Sequence, residues 1–259
     1  MGTFVITGSA GGIGSATRRK LEAGGHRVIG VDVRDAEVIA DLATPDGRTL
    51  MVADVESQCN GVLDGVVAGA GVSGASGELT VSLNYFGAVA TLHGLRPMLA
   101  RGTNPCAVGI SSNSTSTMRG YPMEVTEACL DDNEAVACEM ASVDANGISI
   151  YPATKLALAR WIRRNSITPA WIGSGIRLNA IAPGFTATPM TAGSEEFMFS
   201  LGDVYPLPMQ RAGQADEIAA LLEFVLLHGT YFVGSFIIAD GGTDAAMRPN
   251  DWPIPIPHQ

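Results

Sequence analysis

The sequence predicts a single doubly wound α/β domain, with a central parallel sheet and helices on both faces. Three observations carry that expectation. Short apolar runs alternate with helix-period segments along the whole chain. The runs do not alternate polar with apolar residues, so each strand is covered on both sides. A glycine-rich turn, Gly8-Ser9-Ala10-Gly11-Gly12-Ile13-Gly14, joins the first run to the first helical segment. The 259 residues, 46% of them apolar, suit one large core. No internal repeat or interdomain linker divides them, so residues 1–259 are expected to form one domain.

Taken in order, Thr3–Thr7 reads as a buried strand and residues 14–23 as a helix closed by Gly24-Gly25. Residues 27–31 are the next strand and residues 49–53 the third. Residues 63–68 form a further apolar run that ends in Gly69-Ala70-Gly71. A long helix is expected over 81–100 and a strand over 107–111. The acid-rich segment 119–147 stands apart, with a helix expected around 125–141. Residues 151–165 form a helix with Leu156, Leu158, Trp161 and Ile162 on its apolar side. A strand at 175–181, a helix at 214–227 and a last strand at 235–239 complete the pattern. The tail 248–259 is proline-rich and expected to be extended.

Composition excludes several classes of function. A net charge of −10 argues against nucleic-acid binding, which needs clustered Lys and Arg. The cysteines Cys59, Cys106, Cys129 and Cys138 form no Cys-x-x-Cys pair and have no nearby His. They read as reduced structural thiols of a cytoplasmic protein, and no metal site is expected. The most apolar stretch, 221–239, contains Glu223, His228 and two glycines. It is a core helix, a turn and a strand, with no membrane span expected. The first strand begins at Thr3, so no leader peptide is expected.

The glycine turn suits a pyrophosphate. Such a group needs backbone N–H donors and the positive end of a helix dipole, and a side chain there would block its approach. Gly8, Gly12, Ile13 and Gly14 are therefore candidate dinucleotide-binding residues. The second strand ends near Asp32, about twenty residues beyond the glycines, where an acid accepts from the adenosine ribose hydroxyls. Its charge would repel a 2′-phosphate, and the glycine turn holds no basic residue, so NAD is expected over NADP despite Arg34 nearby. Asp54-Val55, after the expected third strand, either holds the adenine edge or caps a helix.

Tyr151-Pro152-Ala153-Thr154-Lys155 puts Tyr151 and Lys155 on one helix face. Proline is tolerated in a first turn, which places Tyr151 at or just before the helix start. Lys20 and Lys155 are the only lysines among 16 basic residues, so Lys155 suggests a need for a compact ammonium. Removing an alcohol proton while hydride leaves calls for a base, and a phenol with its usual pKa of about 10 is too weak near neutrality. Correcting that takes about 3–4 kcal/mol. One ammonium roughly 4 Å away supplies about that at an effective dielectric near 20.

The glycine spacing, Asp32, Asn84, the pair Ser111-Ser112 and Tyr-x-x-x-Lys together resemble the short-chain dehydrogenase/reductase family over essentially the whole chain. The resemblance implies a Rossmann-type fold, from which this chain departs by a helical insertion before the catalytic Tyr. It gives Ser112 the substrate oxygen, with Ser111 as the substitute if the register slips by one. Lys155 would also hold the nicotinamide ribose. Asn84 would hold a water that relays protons to Lys155, or would serve only as a structural hydrogen-bonder. Pro183, Gly184, Thr186 and Thr188 would bind the carboxamide through backbone and hydroxyl groups. The family's Asn-Ala-Gly run is here Ala68-Gly69-Ala70-Gly71, which lacks the Asn but leaves Ala70 and Gly71 as a wall for adenine and ribose.

The distance from Ser112 to Tyr151 exceeds the family's usual spacing, so residues 119–147 are an insertion. The insertion, residues 26–46 and the ending 240–249, which opens Asp240-Gly241-Gly242-Thr243-Asp244, are similar to the family's bacterial hydroxysteroid dehydrogenase/carbonyl reductase subgroup. That implies NAD(H)-dependent interconversion of a secondary alcohol and a ketone. The alternatives are a dehydrogenase for another lipophilic or monocyclic alcohol, or a non-catalytic NAD-binding protein. Residues 187–211, with Met190, Phe197, Met198, Phe199, Leu201 and Met209, either cover a lipophilic substrate or only pack onto the body. The insertion is expected to alter the family's usual subunit interface, giving a homodimer or higher homo-oligomer of another geometry.

Overall fold

The computed structural model describes residues 1–145 and 147–252, so most of the expected proline-rich tail, residues 253–259, lies outside the described residues. The chain opens with β1 (Thr3–Thr7), α1 (Gly12–Ala23), β2 (Arg27–Asp32), β3 (Val38–Ile39), α2 (Pro45–Cys59) and β4 (Gly65–Ala68). It continues with α3 (Gly77–Val81), a π-turn (Ser82–Gly87), α4 (Ala88–Leu99), β5 (Cys106–Ile110), α5 (Ser114–Thr117), α6 (Met123–Leu130) and α7 (Glu134–Ala141). Then come α8 (Ile150–Ser166), β6 (Arg177–Pro183), β7 (Thr186–Ala187), α9 (Glu195–Ser200), β8 (Gly213–Gln214), α10 (Ala215–Leu227), β9 (Phe236–Ala239) and α11 (Thr243–Met247).

Seven parallel strands form the sheet in the order β3-β2-β1-β4-β5-β6-β9. The period-2 pleat splits each strand between two cores. Val5, Val66 and Ala107 enter the core with Leu92, Leu95 and Leu158 from α4 and α8. Phe4, Ile6, Val67 and Val108 enter the other with Leu21 of α1 and Ile218 and Leu222 of α10. Strand order reverses between β1 and β4, and at such a reversal the carboxyl ends of the strands open a crevice.

Two element readings are corrected. Residues 49–53 lie inside α2 and do not form the third strand. The Thr44 side chain accepts from Gly47 N and Pro45 occupies the first turn, which together start a helix. Met51, Val55 and Cys59 then recur at helical spacing on its buried face. The third strand is the two-residue β3, which pairs Val38 with Val31 and Ile39 with Asp32. The helix expected around 125–141 is two helices, α6 and α7, because Asp132 between them takes a left-handed conformation at φ 59. The path from α3 to α4 is helical throughout but passes through the π-turn that carries Asn84.

Among the described residues no helix is long and apolar enough to cross a membrane. No cluster of His, Cys, Asp and Glu suited to a metal ion occurs among them.

Candidate active site

The carboxyl edge of the sheet carries two adjoining cavities. The first, about 200 Å³, is lined by the glycine turn, Gly69, Gly71 and the segment after β6. Gly8 has φ +73 and donates to Val31 O at 2.9 Å. A Cβ on Gly14 would lie 2.1 Å from the Gly8 carbonyl oxygen, and one on Gly12 2.7 Å from the Thr188 side chain. The turn closes only without side chains at these points, and it leaves the start of α1 without a side-chain cap or an acidic residue. Those uncapped N–H groups and the bare backbone fit a dinucleotide pyrophosphate.

Most of the expected coenzyme residues meet here. Gly8, Gly12, Ile13 and Gly14 line the cleft from one side, and Pro183, Gly184, Thr186 and Thr188 line it from the other. Asp32, the last residue of β2, reaches the turn rather than the lining, its carboxylate accepting from Ala10 N at 3.0 Å and from Val33 N at 2.8 Å. Gly71 lines the wall, whereas Ala70 N is tied to Thr7 Oγ1 at 3.2 Å. Asp54 and Val55 do not belong to this edge. They lie in the second half of α2, with Val55 fully buried in the core. The acid that follows the actual third strand is Asp41, beside the buried Leu42. The β-branched pair before it, Val38-Ile39, is too short to show a strand period in the sequence. Gly11, Gly69 and Ile110 also line the cleft and were not expected.

Tyr151, Lys155 and Ser112 stand at the inner end of this cleft. Tyr151 is the second residue of α8 and Pro152 falls in its first turn. Lys155 Nζ donates to Ile110 O at 2.9 Å and lies 5.6 Å from the Tyr151 ring centroid. Ser111 Oγ donates to Lys155 O at 2.9 Å, which commits that serine to structure. Ser112 Oγ instead accepts from Ser114 N at 3.1 Å, and its own proton is left for the Tyr151 phenol or a ligand at that point. Asn84 is fully buried and uses both ends of its amide on Val72, accepting at 2.8 Å and donating at 2.9 Å. Its Oδ1 and Lys155 Nζ flank Gly71, where a Cβ would lie 2.9 Å and 3.4 Å from them.

The electrostatics differ from the expectation that Lys155 lowers the Tyr151 phenol. Burial holds that phenol above its ordinary range, with the hydrogen bond from Ser112 working against the rise and nearby Tyr205 adding to it. Tyr151 shows a half-buried surface to the cavities, yet it sits deep in protein mass, and that depth decides the direction. Burial also pushes the Lys155 ammonium down to about 8. Desolvation disfavours the charged form of each group.

The second cavity, about 940 Å³, shares Tyr151 and Ser112 with the first. Met118, Ile148, Met190, Phe197, Met198 and Leu201 make its wall largely apolar. Asn113, Tyr205 and Asp240 form a hydrogen-bonded group beside it that the sequence reading did not single out.

A doubly wound sheet with a bare glycine turn, and a Ser, Tyr and Lys gathered beside it, is the arrangement of a Rossmann-type oxidoreductase. Comparison with known proteins agrees. A family profile described as Enoyl-(Acyl carrier protein) reductase matches residues 8–244. The chain is 38% identical over 97% of its length to the 3-alpha-hydroxysteroid dehydrogenase/carbonyl reductase of Comamonas testosteroni, covering 100% of that protein. It is 28% identical to the cis-4-hydroxycyclohexanecarboxylate dehydrogenase of Sinomonas cyclohexanicum, over 93% of this chain and 96% of that one. Among solved structures, the 3-alpha-hydroxysteroid dehydrogenase from Pseudomonas sp. B-0831 complexed with NADH superposes with a TM-score of 0.88 at 39% identity, covering 96% of this chain and 100% of that one. The chain belongs to the short-chain dehydrogenase/reductase family.

Proposed function

We propose that this chain is an NAD(H)-dependent oxidoreductase that interconverts a secondary alcohol and a ketone on a lipophilic, hydroxysteroid-sized substrate. One observation carries the reading. Tyr151 and Ser112, with Gly184, Met190 and Thr191, form the wall shared by the glycine-turn cleft and the large apolar cavity. A coenzyme in the first and a substrate in the second would meet at the Tyr151 and Ser112 hydroxyls. The relatives described above, one solved with NADH, support the same assignment.

Bound NAD(H) supplies the hydride acceptor or donor. The chain's residues do the rest. The Ser112 hydroxyl, oriented by one bond accepted from Ser114 N, turns its proton to the substrate oxygen. Tyr151 moves the proton at that oxygen, giving it up when a ketone is reduced and taking it when an alcohol is oxidised. Lys155, held on Ile110 O, keeps a positive charge near the phenol and stands within reach of the nicotinamide ribose. Asn84 acts by bracing the Val72 backbone beside Lys155 and Gly71. Asp32 and the adjacent Ala10 N–H set the preference for NAD over NADP. Residues 187–211 form the lid over the substrate cavity.

The test is a panel of steroid and small cyclic ketones assayed with NADH and NADPH. Turnover of a lipophilic ketone is expected, with higher kcat/KM for NADH. Tyr151→Phe should lower kcat by about a thousandfold while leaving NADH affinity within roughly threefold. Tight NADH binding without turnover of any ketone would replace this reading with the non-catalytic one.

A further inference from the structure

The trailing end of the lid is fastened at two successive residues. Tyr205 Oη accepts from Asn113 Nδ2 at 2.9 Å, and its own O–H lies 3.2 Å from Asn113 Oδ1. The carbonyl of Pro206 accepts from Thr243 Oγ1 at 2.8 Å. Asn113 is 3% exposed and follows Ser112 directly. Its Nδ2 also donates to Asp240 Oδ2 at 3.1 Å. A carboxylate only accepts, so this bond fixes which end of the amide is nitrogen, and the second N–H falls to Tyr205.

Asp240 is itself held by Gly242 N at 3.0 Å and Asp244 N at 2.7 Å. Gly184 makes the approach of Asp240 and Asn113 possible, since a Cβ there would lie 2.5 Å from Asp240 Cβ and 3.3 Å from Asn113 Nδ2. The Asn113 backbone is anchored as well, its N–H donating to Pro183 O at 3.0 Å. Asn113 is thus a rigid post between the catalytic serine and the end of β9, and the phenol of Tyr205 is the lid's attachment to it. Tyr205 and Asn113 both line the large cavity, and neither lines the glycine-turn cleft.

We propose that Tyr205 is a positioning residue of the substrate site: its hydroxyl pins the lid to Asn113 and so fixes how a ketone is presented to Ser112 and Tyr151. This rests on the oxidoreductase reading above for its kinetic consequence but not for its structural one. The lid's mobile part is then residues 189–204, and residue 205 is its inner pivot. Loss of the pin loosens substrate capture without touching the coenzyme.

Tyr205→Phe keeps the ring and removes only the hydroxyl. Amide hydrogen exchange across residues 189–204 should become about tenfold faster, the cost of one lost buried hydrogen bond. KM for the ketone should rise about tenfold with kcat changed by less than roughly threefold and NADH affinity unchanged. Asn113→Ala, which also releases Asp240, should loosen the lid at least as much, and adding Tyr205→Phe to it should speed exchange across 189–204 no further, because the Tyr205 hydroxyl is pinned to Asn113 through that amide. Unchanged exchange in Tyr205→Phe, or independent and additive effects of the two substitutions, would overturn the proposal. If the wild-type protein turns over no ketone, the oxidoreductase reading fails, and the exchange experiment still decides whether Tyr205 pins the lid.

Discussion

The two cavities that meet at Tyr151 are built by opposite means. The smaller, about 200 Å³, is shaped by backbone, with glycines at 8, 11, 12, 14, 69 and 71 bringing chain segments into near contact. The larger, about 940 Å³, is shaped by Met, Phe and Leu side chains of the lid and by Met118 and Ile148, which flank the insertion. A backbone-built site holds one ligand shape, because adding a single methyl group displaces main chain. A site walled by flexible side chains takes a range of shapes, because each can move to another rotamer. On the proposed function, the coenzyme wall should therefore tolerate less change than the substrate wall.

The comparison breaks most sharply at Gly14. In Gly14→Ala the new Cβ would lie 2.1 Å from Gly8 O and 2.8 Å from Gly8 C. Neither is a side-chain end that can swing aside, so the turn must open. NADH affinity is expected to fall at least about a hundredfold, with far-ultraviolet circular dichroism unchanged if the rest of the sheet persists. Fluorescence titration with NADH measures it. Affinity within a few fold of wild type would mean that the turn is not the rigid element described here.

The same contrast explains what was legible in the sequence. The tight turn at Gly8, Gly12 and Gly14 could be read because close backbone packing leaves few residue choices. The third strand could not, since Val38–Ile39 is too short to show a period. The apolar run at 50–52 drew the assignment away from it, although Thr44-Pro45 signalled a helix start. Spacing placed Tyr151 and Lys155 together, but spacing says nothing of depth, and depth pushes the lysine down to about 8. The Asn113–Tyr205 bond joins residues 92 positions apart, and no local pattern announces it.

Lys155 lies where the two regions join, and its burial should cost stability. Its folded-state pKa of about 8 lies below the ordinary value of 10.5. The penalty is therefore fully present below pH 8, shrinks as pH rises from 8 to 10.5, and is absent above that range. It amounts to about 3 kcal/mol near neutrality, partly offset by the bond to Ile110 O. Lys155→Met is expected to raise the Tm of the coenzyme-free protein by roughly 5 °C at pH 7. The gain should fade toward pH 10.5, while activity is lost. Thermal unfolding of both proteins across that range is the measurement. A lower Tm for the variant at pH 7 would show that Lys155 contributes to stability and does not burden it.

The smallest effect is expected in the lid, and its smallness is informative. Met198 lines the large cavity and is only half-buried, with no hydrogen-bonded partner to orphan. Met198→Ala removes thioether contact from one side of a space of about 940 Å³ that the neighbouring Phe197, Met190 and Leu201 can partly refill. KM for a lipophilic ketone should rise by less than about fivefold, with kcat and NADH affinity unchanged, consistent with the loss of about 1 kcal/mol of apolar contact. A bulky ketone should suffer more than a small cyclic one, since only the former reaches the lid. Equal losses for both would place Met198 in the packing of the lid onto the body. A loss as large as that expected for Gly14→Ala would mean that the substrate wall is as rigid as the coenzyme wall, and the contrast between the two cavities would then lie in their size alone.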